Sequence, residues 1–389
     1  MVELERRLFL AGLGAATLPL GIARAAGGPI VAKIMVEDGR LLVGATIGNS
    51  EPLIFIIDTG ASINVLRPDV ARQLNLTMLG GASIRGVANK QATAGVVEAK
   101  DVLIAGVMRQ PVMNFSTYDL GRLASDAAGL FASGLLTAYD SDLNFSGGTW
   151  QIWPKGRDGQ PTGTRLDGAS ITTLGAPRGT ERIYVTVMID GQPYKLMVDT
   201  GAPRSIILFP RASGRSGLRT GRPSSPLLTR GIGGAADKLS HTVRATRFEM
   251  GPLAFDRPFV TLMDPDQSSG ANYDGLLGLP LIKMLDWSTD VGSSRLWVTR
   301  NTSGLVADRY SKSGLWLDRT ATGGAVVANV GTGSPAAAAG IRAGDAVVEP
   351  ARFADALVRI NGPVRQAFSL TIRRGTDATT HNIVPTFYL

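Results

Sequence analysis

Apolar residues in this chain fall into short runs that are rich in Val, Ile and Leu, and Gly, Pro, Asn and Asp separate one run from the next. Segments 40–47, 53–57 and 182–189 show the pattern clearly. Short β-branched runs between turn residues are typical of strands and hairpins. Aromatic residues are few and glycines many, with 48 glycines among 389 residues, which also favours strands joined by turns. The pattern therefore predicts a mostly β fold.

The pattern also repeats. Each copy begins with a predicted hairpin that ends on Asp-Thr-Gly-Ala, at Asp58-Thr59-Gly60-Ala61 in the first copy and Asp199-Thr200-Gly201-Ala202 in the second. Further along, each copy has an apolar Gly-Leu segment, at 129–132 and 274–278, and then closes on a strand that carries Trp. A repeat of about 140 residues is too long for a solenoid unit, so it indicates two duplicated lobes.

The length of the chain exceeds what one hydrophobic core usually serves. We expect lobe 1 over residues 26–155, a Gly- and Pro-rich linker over 156–181 and lobe 2 over 182–300. A third region follows over 301–389. These boundaries predict a protein of three folded units.

The N-terminal residues 1–25 are typical of an export signal. Arg6-Arg7 precedes an apolar segment from Leu8 to Ile22, and Ala23-Arg24-Ala25 supplies a cleavage site. The arginine pair resembles a twin-arginine signal, which predicts a periplasmic or other extracytoplasmic location. The apolar segment is shorter than the roughly 20 residues of a spanning helix, although a retained anchor or a surface helix stays open as an alternative. No later stretch is long and apolar enough to predict a membrane span.

The amino-acid composition excludes several kinds of catalytic and metal-binding site. The chain has no cysteine, which excludes disulfides and thiolate catalysis, and its only histidines are His241 and His381. We therefore predict no metal site and no cofactor. The formal charge of +8 comes from Lys and Arg spread along the chain, so we predict a solvated basic surface and no nucleic-acid partner.

The paired aspartates suit hydrolysis by activated water. Two carboxyl groups about 3 Å apart cannot both ionise, so one stays protonated as an acid while the other acts as a base. Here the chain resembles the retropepsin-like aspartic proteases over about residues 30 to 300. The resemblance implies a pair of pepsin/retropepsin-like barrels that form one active site in a monomer. It implies Asp58 and Asp199 as the catalytic dyad, supported by Thr59, Gly60, Thr200 and Gly201.

Each copy also has a glycine-marked turn that could form a flap over the cleft. The flap candidates are Gly86 and Val87 in lobe 1, and Ile232 and Gly233 in lobe 2. Flaps of this kind would hold an extended peptide, which can pair with strand edges by β-augmentation. The expected partners are therefore protein or peptide substrates.

The third region resembles bacterial PDZ domains, which are small α+β domains. The likeness rests on segments 313–317, 333–337 and 339–345. It implies that the loop of Gly314, Leu315, Trp316 and Leu317 binds the carboxylate of a C-terminal peptide ligand. For Trp316, a place in the core of the domain is an open alternative.

These observations predict an exported aspartic endopeptidase that cleaves envelope or periplasmic proteins, with the PDZ-like region selecting or presenting them. An adaptor without catalysis, which binds peptides in the cleft and on the PDZ-like region, is an alternative of a different class. In that reading Asp58 and Asp199 merely end strands. Cleavage of the chain within its own linker is a minor variant.

Overall fold

Strands dominate the protein, which confirms the prediction of a mostly β fold. The description rests on a computed structural model, and the described residues are 28–86, 89–121, 126–173, 180–232, 234–267, 270–304 and 309–389. The predicted export signal, residues 1–25, therefore lies outside the described residues. Among the helices that are described, none has the length and apolar character needed to cross a membrane.

The elements of lobe 1 are β1 Ile30–Lys33, β2 Met35–Glu37, β3 Arg40–Ile47, β4 Leu53–Asp58, β5 Val65–Leu66, α1 Pro68–Gln73, β6 Thr77–Arg85, β7 Gln91–Ile104, β8 Met108–Thr117, β9 Gly129–Ala132, α2 Gly134–Thr137, β10 Asp140–Asn144 and β11 Thr149–Trp153. Eight of these strands form one sheet with the order β2-β3-β4-β9-β5-β8-β7-β6. Helix α1 starts where the sequence favours a helix, with Pro68 and Asp69 in its first turn. Inside the sheet, the rings of Phe55 and Phe131 stack with centroids 4.4 Å apart.

Lobe 2 repeats this plan. The elements from the linker to the end of the lobe are β12 Thr164–Arg165, β13 Ala169–Thr172, β14 Arg182–Ile189, β15 Gln192–Asp199, β16 Ile206–Leu208, α3 Pro210–Ser216, β17 Ser224–Leu227, β18 Arg230–Gly231, β19 Gly234–Ala235, β20 Ser240–Arg244, β21 Arg247–Met250, β22 Leu253–Asp256, β23 Phe259–Leu262, β24 Gly275–Gly278, α4 Leu279–Ile282, β25 Leu285–Asp290 and β26 Arg295–Arg300. The main sheet has the order β17-β20-β23-β16-β24-β15-β14-β21-β22, and β13 joins it by pairing with β14.

The duplication predicted from the sequence is present in the strand pairing. In lobe 1 the strand that carries the motif, β4, pairs in parallel with β9, so that Asp58 lies opposite Ala132. In lobe 2, β15 pairs in parallel with β24, so that Asp199 lies opposite Gly278. Both apolar Gly-Leu segments are therefore buried strands directly beside the motif strands.

A six-stranded sheet joins the two lobes, with the order β1-β11-β10-β25-β26-β12. Its central contact is the antiparallel pairing of β10 from lobe 1 with β25 from lobe 2. The prediction of a plain linker over 156–181 is wrong for part of that segment. Strand β12 pairs with β26 and strand β13 pairs with β14, so backbone hydrogen bonds fix the connection to lobe 2.

The third unit has its own sheet, with the order β27-β28-β29-β30-β31, and its own hydrophobic core. Its elements are β27 Leu315–Arg319, β28 Ala325–Val330, α5 Pro335–Ala338, β29 Ala346–Glu349, α6 Phe353–Ile360, β30 Phe368–Arg374 and β31 Asp377–Ile383. The unit docks on lobe 2 at the start of β17. There the amide of Ser224 donates to the carbonyl of Thr332 at 2.9 Å, and the hydroxyl of Tyr388 donates to the carbonyl of Ser224 at 3.1 Å.

Candidate active site

The two Asp-Thr-Gly motifs meet where lobe 1 contacts lobe 2, and their threonines interlock. The hydroxyl of Thr59 donates to the carbonyl of Val198 at 2.7 Å and accepts from the amide of Thr200 at 3.0 Å. The hydroxyl of Thr200 donates to the carbonyl of Ile57 at 2.6 Å and accepts from the amide of Thr59 at 3.1 Å. Both side chains are buried. Four reciprocal hydrogen bonds therefore fix the two motifs against each other.

The aspartates are oriented by the backbone of their own loops. Asp58 Oδ1 accepts from the amides of Gly60 at 2.9 Å and Ala61 at 3.0 Å. Asp199 Oδ1 accepts from the amide of Gly201 at 2.9 Å. Bonds from amide donors favour the ionised form of a carboxyl group. Each lobe therefore supplies one carboxyl in a defined orientation.

The glycines of the motifs allow the opposite carboxyl to come close. A Cβ on Gly60 would lie 2.5 Å from Asp199 Cγ, and a Cβ on Gly201 would lie 2.5 Å from Asp58 Cγ. No real Cβ fits at such a distance from a carboxyl. Glycine is therefore required at both positions, because each backbone lies directly against the acid of the other lobe.

The two carboxyls interact directly with each other. Burial raises the pKa of Asp199 well above its ordinary value, and the negative charge of Asp58 raises it further. Burial also raises the pKa of Asp58, but amide hydrogen bonds and the charge of Arg40 oppose this rise. In a coupled pair of this kind the two carboxyls share one proton. The charge of Arg40 favours Asp58 as the ionised member of the pair.

Apolar clusters flank the dyad on both sides. In lobe 1, Ala61 belongs to a cluster with buried side chains from β3, β4, β5 and β9, and Ile232 from lobe 2 packs against it. In lobe 2, Ala202 and Tyr273 belong to a matching cluster. Burial raises the pKa of Tyr273 to about 12, so its phenol stays neutral. The surroundings of the carboxyls are thus suited to apolar groups.

The two turns that carry the flap candidates, one from each lobe, contact each other. Gly86 lies so close to the backbone of Ile232 that a Cβ at Gly86 would collide with the Ile232 carbonyl. Beside them, Lys90 Nζ forms an ion pair with Asp237 Oδ1 at 2.6 Å. The other two flap candidates, Val87 and Gly233, lie outside the described residues.

The match to a family model agrees with this geometry. The family model described as Aspartyl protease matches residues 43–131 and 185–281, so each match contains one of the two motifs. The chain is an aspartic-type peptidase. A crystal structure of an aspartic proteinase from Irpex lacteus matches with a TM-score of 0.42 and 12% identity, over 70% of this chain and 98% of that chain. No curated protein sequence matches this peptidase.

The predicted carboxylate loop of the third unit is partly engaged in bonds of its own. The amide of Gly314 donates to Ser311 Oγ at 3.1 Å, and the amide of Leu315 is 3.4 Å from Ser313 Oγ. Leu315 and Leu317 belong to the core of the unit. Trp316 is half-buried and lies outside that core, which contradicts the alternative of a core aromatic.

Sequence reasoning missed one charged residue beside the dyad, Arg40. Its Nη1 donates to the carbonyl of Gly201 in the other lobe at 3.3 Å. A signal was available, because Arg40 begins β3 and Arg182 begins the equivalent strand β14. Tyr273 was missed as well, because it precedes the lobe 2 Gly-Leu strand and no motif marks it in the sequence.

Proposed function

We propose that this peptidase is an exported endopeptidase that hydrolyses peptide bonds of envelope or periplasmic proteins and is active as a monomer. One observation carries the catalytic part of the proposal, namely that two lobes of one chain bring their carboxyls together, the buried Asp199 against Gly60 and the half-buried Asp58 against Gly201. An adaptor without catalysis would gain nothing from holding two acids together at the cost of raising both pKa values.

In the proposed reaction Asp58 acts as the base and Asp199 as the acid. Asp58 takes a proton from a water while Asp199 gives its proton to the carbonyl oxygen of the substrate, and the water oxygen bonds to the carbonyl carbon. The resulting tetrahedral diol then loses a proton to one carboxylate as the other carboxyl protonates the leaving nitrogen. The C–N bond breaks, and the dyad returns to one shared proton.

The surroundings of the dyad support a substrate in extended form with apolar side chains on both sides of the cleaved bond. The cluster around Ala61 and the cluster around Ala202 would contact those side chains. The paired turns at Gly86 and Ile232 would cover the peptide backbone. An unfolded segment of a protein would meet these requirements.

We propose that the third unit is PDZ-like and selects or presents substrates. Support comes from its position, because it docks on Ser224 at the start of β17, the strand that precedes the lobe 2 flap turn. A ligand on this unit would therefore bind to a unit that contacts the strand before the lobe 2 flap turn. The carboxylate of a C-terminal peptide is the expected ligand, as the resemblance of segment 313–317 suggests.

The location is a separate part of the proposal and has its own test. Changing Arg6 and Arg7 together to Lys should block export, because the twin-arginine pathway reads the arginine pair while the general pathway needs only positive charge. Fractionation of cells that produce either form would measure this. Normal export of the Lys form would contradict the twin-arginine assignment but not the peptidase.

The catalytic proposal is tested by cleavage of an unfolded protein substrate with purified protein at several pH values. We expect cleavage that a pepstatin-type inhibitor stops and that is absent in Asp58→Asn. Binding of the substrate without any cleavage by the wild type would favour the adaptor instead.

A further inference from the structure

Arg40 places a positive charge beside the two carboxyls. It begins β3 in lobe 1, yet its Nη1 reaches across the interface to the carbonyl of Gly201 in lobe 2, 3.3 Å away. The side chain is half-buried. Burial lowers the pKa of Arg40, whereas the charges of Asp58, Asp199 and Asp126 raise it. The guanidinium is thus held close to the dyad by both geometry and charge.

The hydrogen bond of Arg40 acts on a peptide group that faces the dyad. The carbonyl it contacts belongs to the peptide between Gly201 and Ala202, and the N–H of that same peptide donates to the main-chain carbonyl of Asp199 at 3.2 Å. A donor on the carbonyl side of a peptide strengthens the N–H on its other side. Arg40 therefore supports the loop that orients Asp199.

The equivalent residue of lobe 2 is engaged differently. Arg182 begins β14 as Arg40 begins β3, but its charge and a hydrogen bond act on the phenol of Tyr184. The arginine pair of the duplicated hairpins is thus used asymmetrically. This makes Arg182 a matched control for Arg40.

We propose that Arg40 is a positioning residue of the reaction, which holds the Gly201–Ala202 peptide toward Asp199 and keeps a cation beside both acids. The inference rests on the proposed roles of Asp58 and Asp199. It gives Arg40, the first residue of β3 in lobe 1, a role at the carboxyl of Asp199 in lobe 2.

A consequence for the pH dependence follows from the charges around the dyad. The groups that matter are Arg40 from β3, Asp126 before β9, whose charge acts on Arg40, and Tyr273 before β24, on which Arg182 acts. Tyr273 is neutral and contributes no charge below its pKa of about 12. The charge of Arg40 lowers the pKa of Asp58. Without it the base would be protonated at a higher pH, and the acid limb of the rate profile would move upward.

The test compares the acid limb of kcat/KM against pH in full-length wild type, Arg40→Gln, Arg40→Lys and Arg182→Gln. We expect Arg40→Gln to move the limb upward by about one unit, the low end of the range for a neighbouring opposite charge. Arg40→Lys should keep most of the wild-type limb, and Arg182→Gln should keep its position whatever its effect on rate. A folded Arg40→Gln with an unmoved limb would overturn the proposal.

A second variant covers the case that Arg40→Gln does not fold. Asp126 is exposed, so Asp126→Asn should fold. The charge of Asp126 competes with the dyad for the charge of Arg40, so removing it should strengthen the effect of Arg40 and move the acid limb downward by less than about half a unit at low salt. An upward shift or none would then overturn the proposal. Failure of the proposed function is a different result, namely a wild type that cleaves nothing or an Asp58→Asn protein that still cleaves.

Discussion

Lobe 1 and lobe 2 share one fold, but the residue that pairs opposite the aspartate is packed differently in each lobe. In lobe 1 the amide of Ala132, opposite Asp58, donates to the side-chain oxygen of Asn64 at 2.9 Å. In lobe 2 the amide of Gly278 donates to the main-chain oxygen of Ser205 at 3.0 Å. Asn64 and Ser205 occupy equivalent positions, six residues after each aspartate.

The difference explains why one lobe has alanine where the other has glycine. In lobe 2 the main chain lies so close to Gly278 that a Cβ there would collide with the carbonyl of Arg204. In lobe 1 the side chain of Asn64 accepts the equivalent hydrogen bond in place of a main-chain oxygen, and this leaves room for the methyl group of Ala132. The two lobes are therefore equivalent in the pairing of their motif strands and in their Asp-Thr-Gly residues, but they differ in what packs behind the aspartates.

The largest effect is expected where the lobes are equivalent. Asp58→Asn and Asp199→Asn should each reduce kcat/KM by on the order of 10²–10⁴-fold or more, because either change removes one half of the acid–base pair. Rates with an unfolded protein substrate would measure this, with thermal unfolding as the control for folding. Full activity of Asp199→Asn would break the single-chain account and indicate a homodimer built on the first motif.

Much of this equivalence could be predicted from the sequence. The hairpins, the Gly-Leu strands and helix α1 follow local patterns of apolar and turn residues, and the structure has all of them. The contact of Arg40 with Gly201 could not be predicted, because it joins residues that are distant in sequence through a long flexible side chain. Strands β12 and β13 were missed because pairing with β26 and β14 orders a segment whose composition is typical of a loop.

A smaller effect is expected from the threonines. Thr59→Val and Thr200→Val each remove one donor and one acceptor from the four reciprocal bonds. Each variant should lower the free energy of unfolding by about 1–3 kcal/mol for every buried backbone group left unpaired. Denaturant unfolding would measure the loss, and Thr→Ser at either position serves as a control that keeps the hydroxyl. A loss in only one of the two valine variants would show that the interface is not symmetric.

Ala132 in lobe 1 corresponds to Gly278 in lobe 2, and exchanging alanine and glycine at these two positions should cost different amounts of stability. Gly278→Ala should cost about 1–3 kcal/mol of stability, since the new methyl group meets the Arg204 carbonyl. Ala132→Gly should cost only about 0.5–1 kcal/mol, because the change mainly adds backbone freedom to the unfolded chain. Equal costs in denaturant unfolding would refute the packing explanation.

The smallest effect concerns the alanines that follow the two glycines. A hydroxyl in place of the Ala61 methyl could donate to the outer oxygen of Asp58, which favours the ionised form and lowers the pKa of the dyad. Ala61→Ser should therefore move the acid limb downward, by less than about one unit for one hydrogen bond. For the wild type, which lacks this donor, we expect a weakly acidic optimum at about pH 5 to 6.5.

Ala202→Ser is the matched variant in lobe 2. Its effect should be weaker, because Ala202 is buried in an apolar cluster where a new hydroxyl is costly to place. An upward shift in Ala61→Ser, or an acid limb of the wild type already near pH 2, would refute this account of the pH dependence.

The central claim is that one chain forms one active site from one acid of each lobe. Titration of the purified full-length protein with a tight-binding pepstatin-type inhibitor tests it most directly, with the molecular mass in solution measured under the same conditions. The account predicts complete inhibition at one inhibitor per monomeric chain, and loss of tight binding in both Asp58→Asn and Asp199→Asn. Complete inhibition at one inhibitor per two chains, with Asp199→Asn still binding it, would contradict the claim.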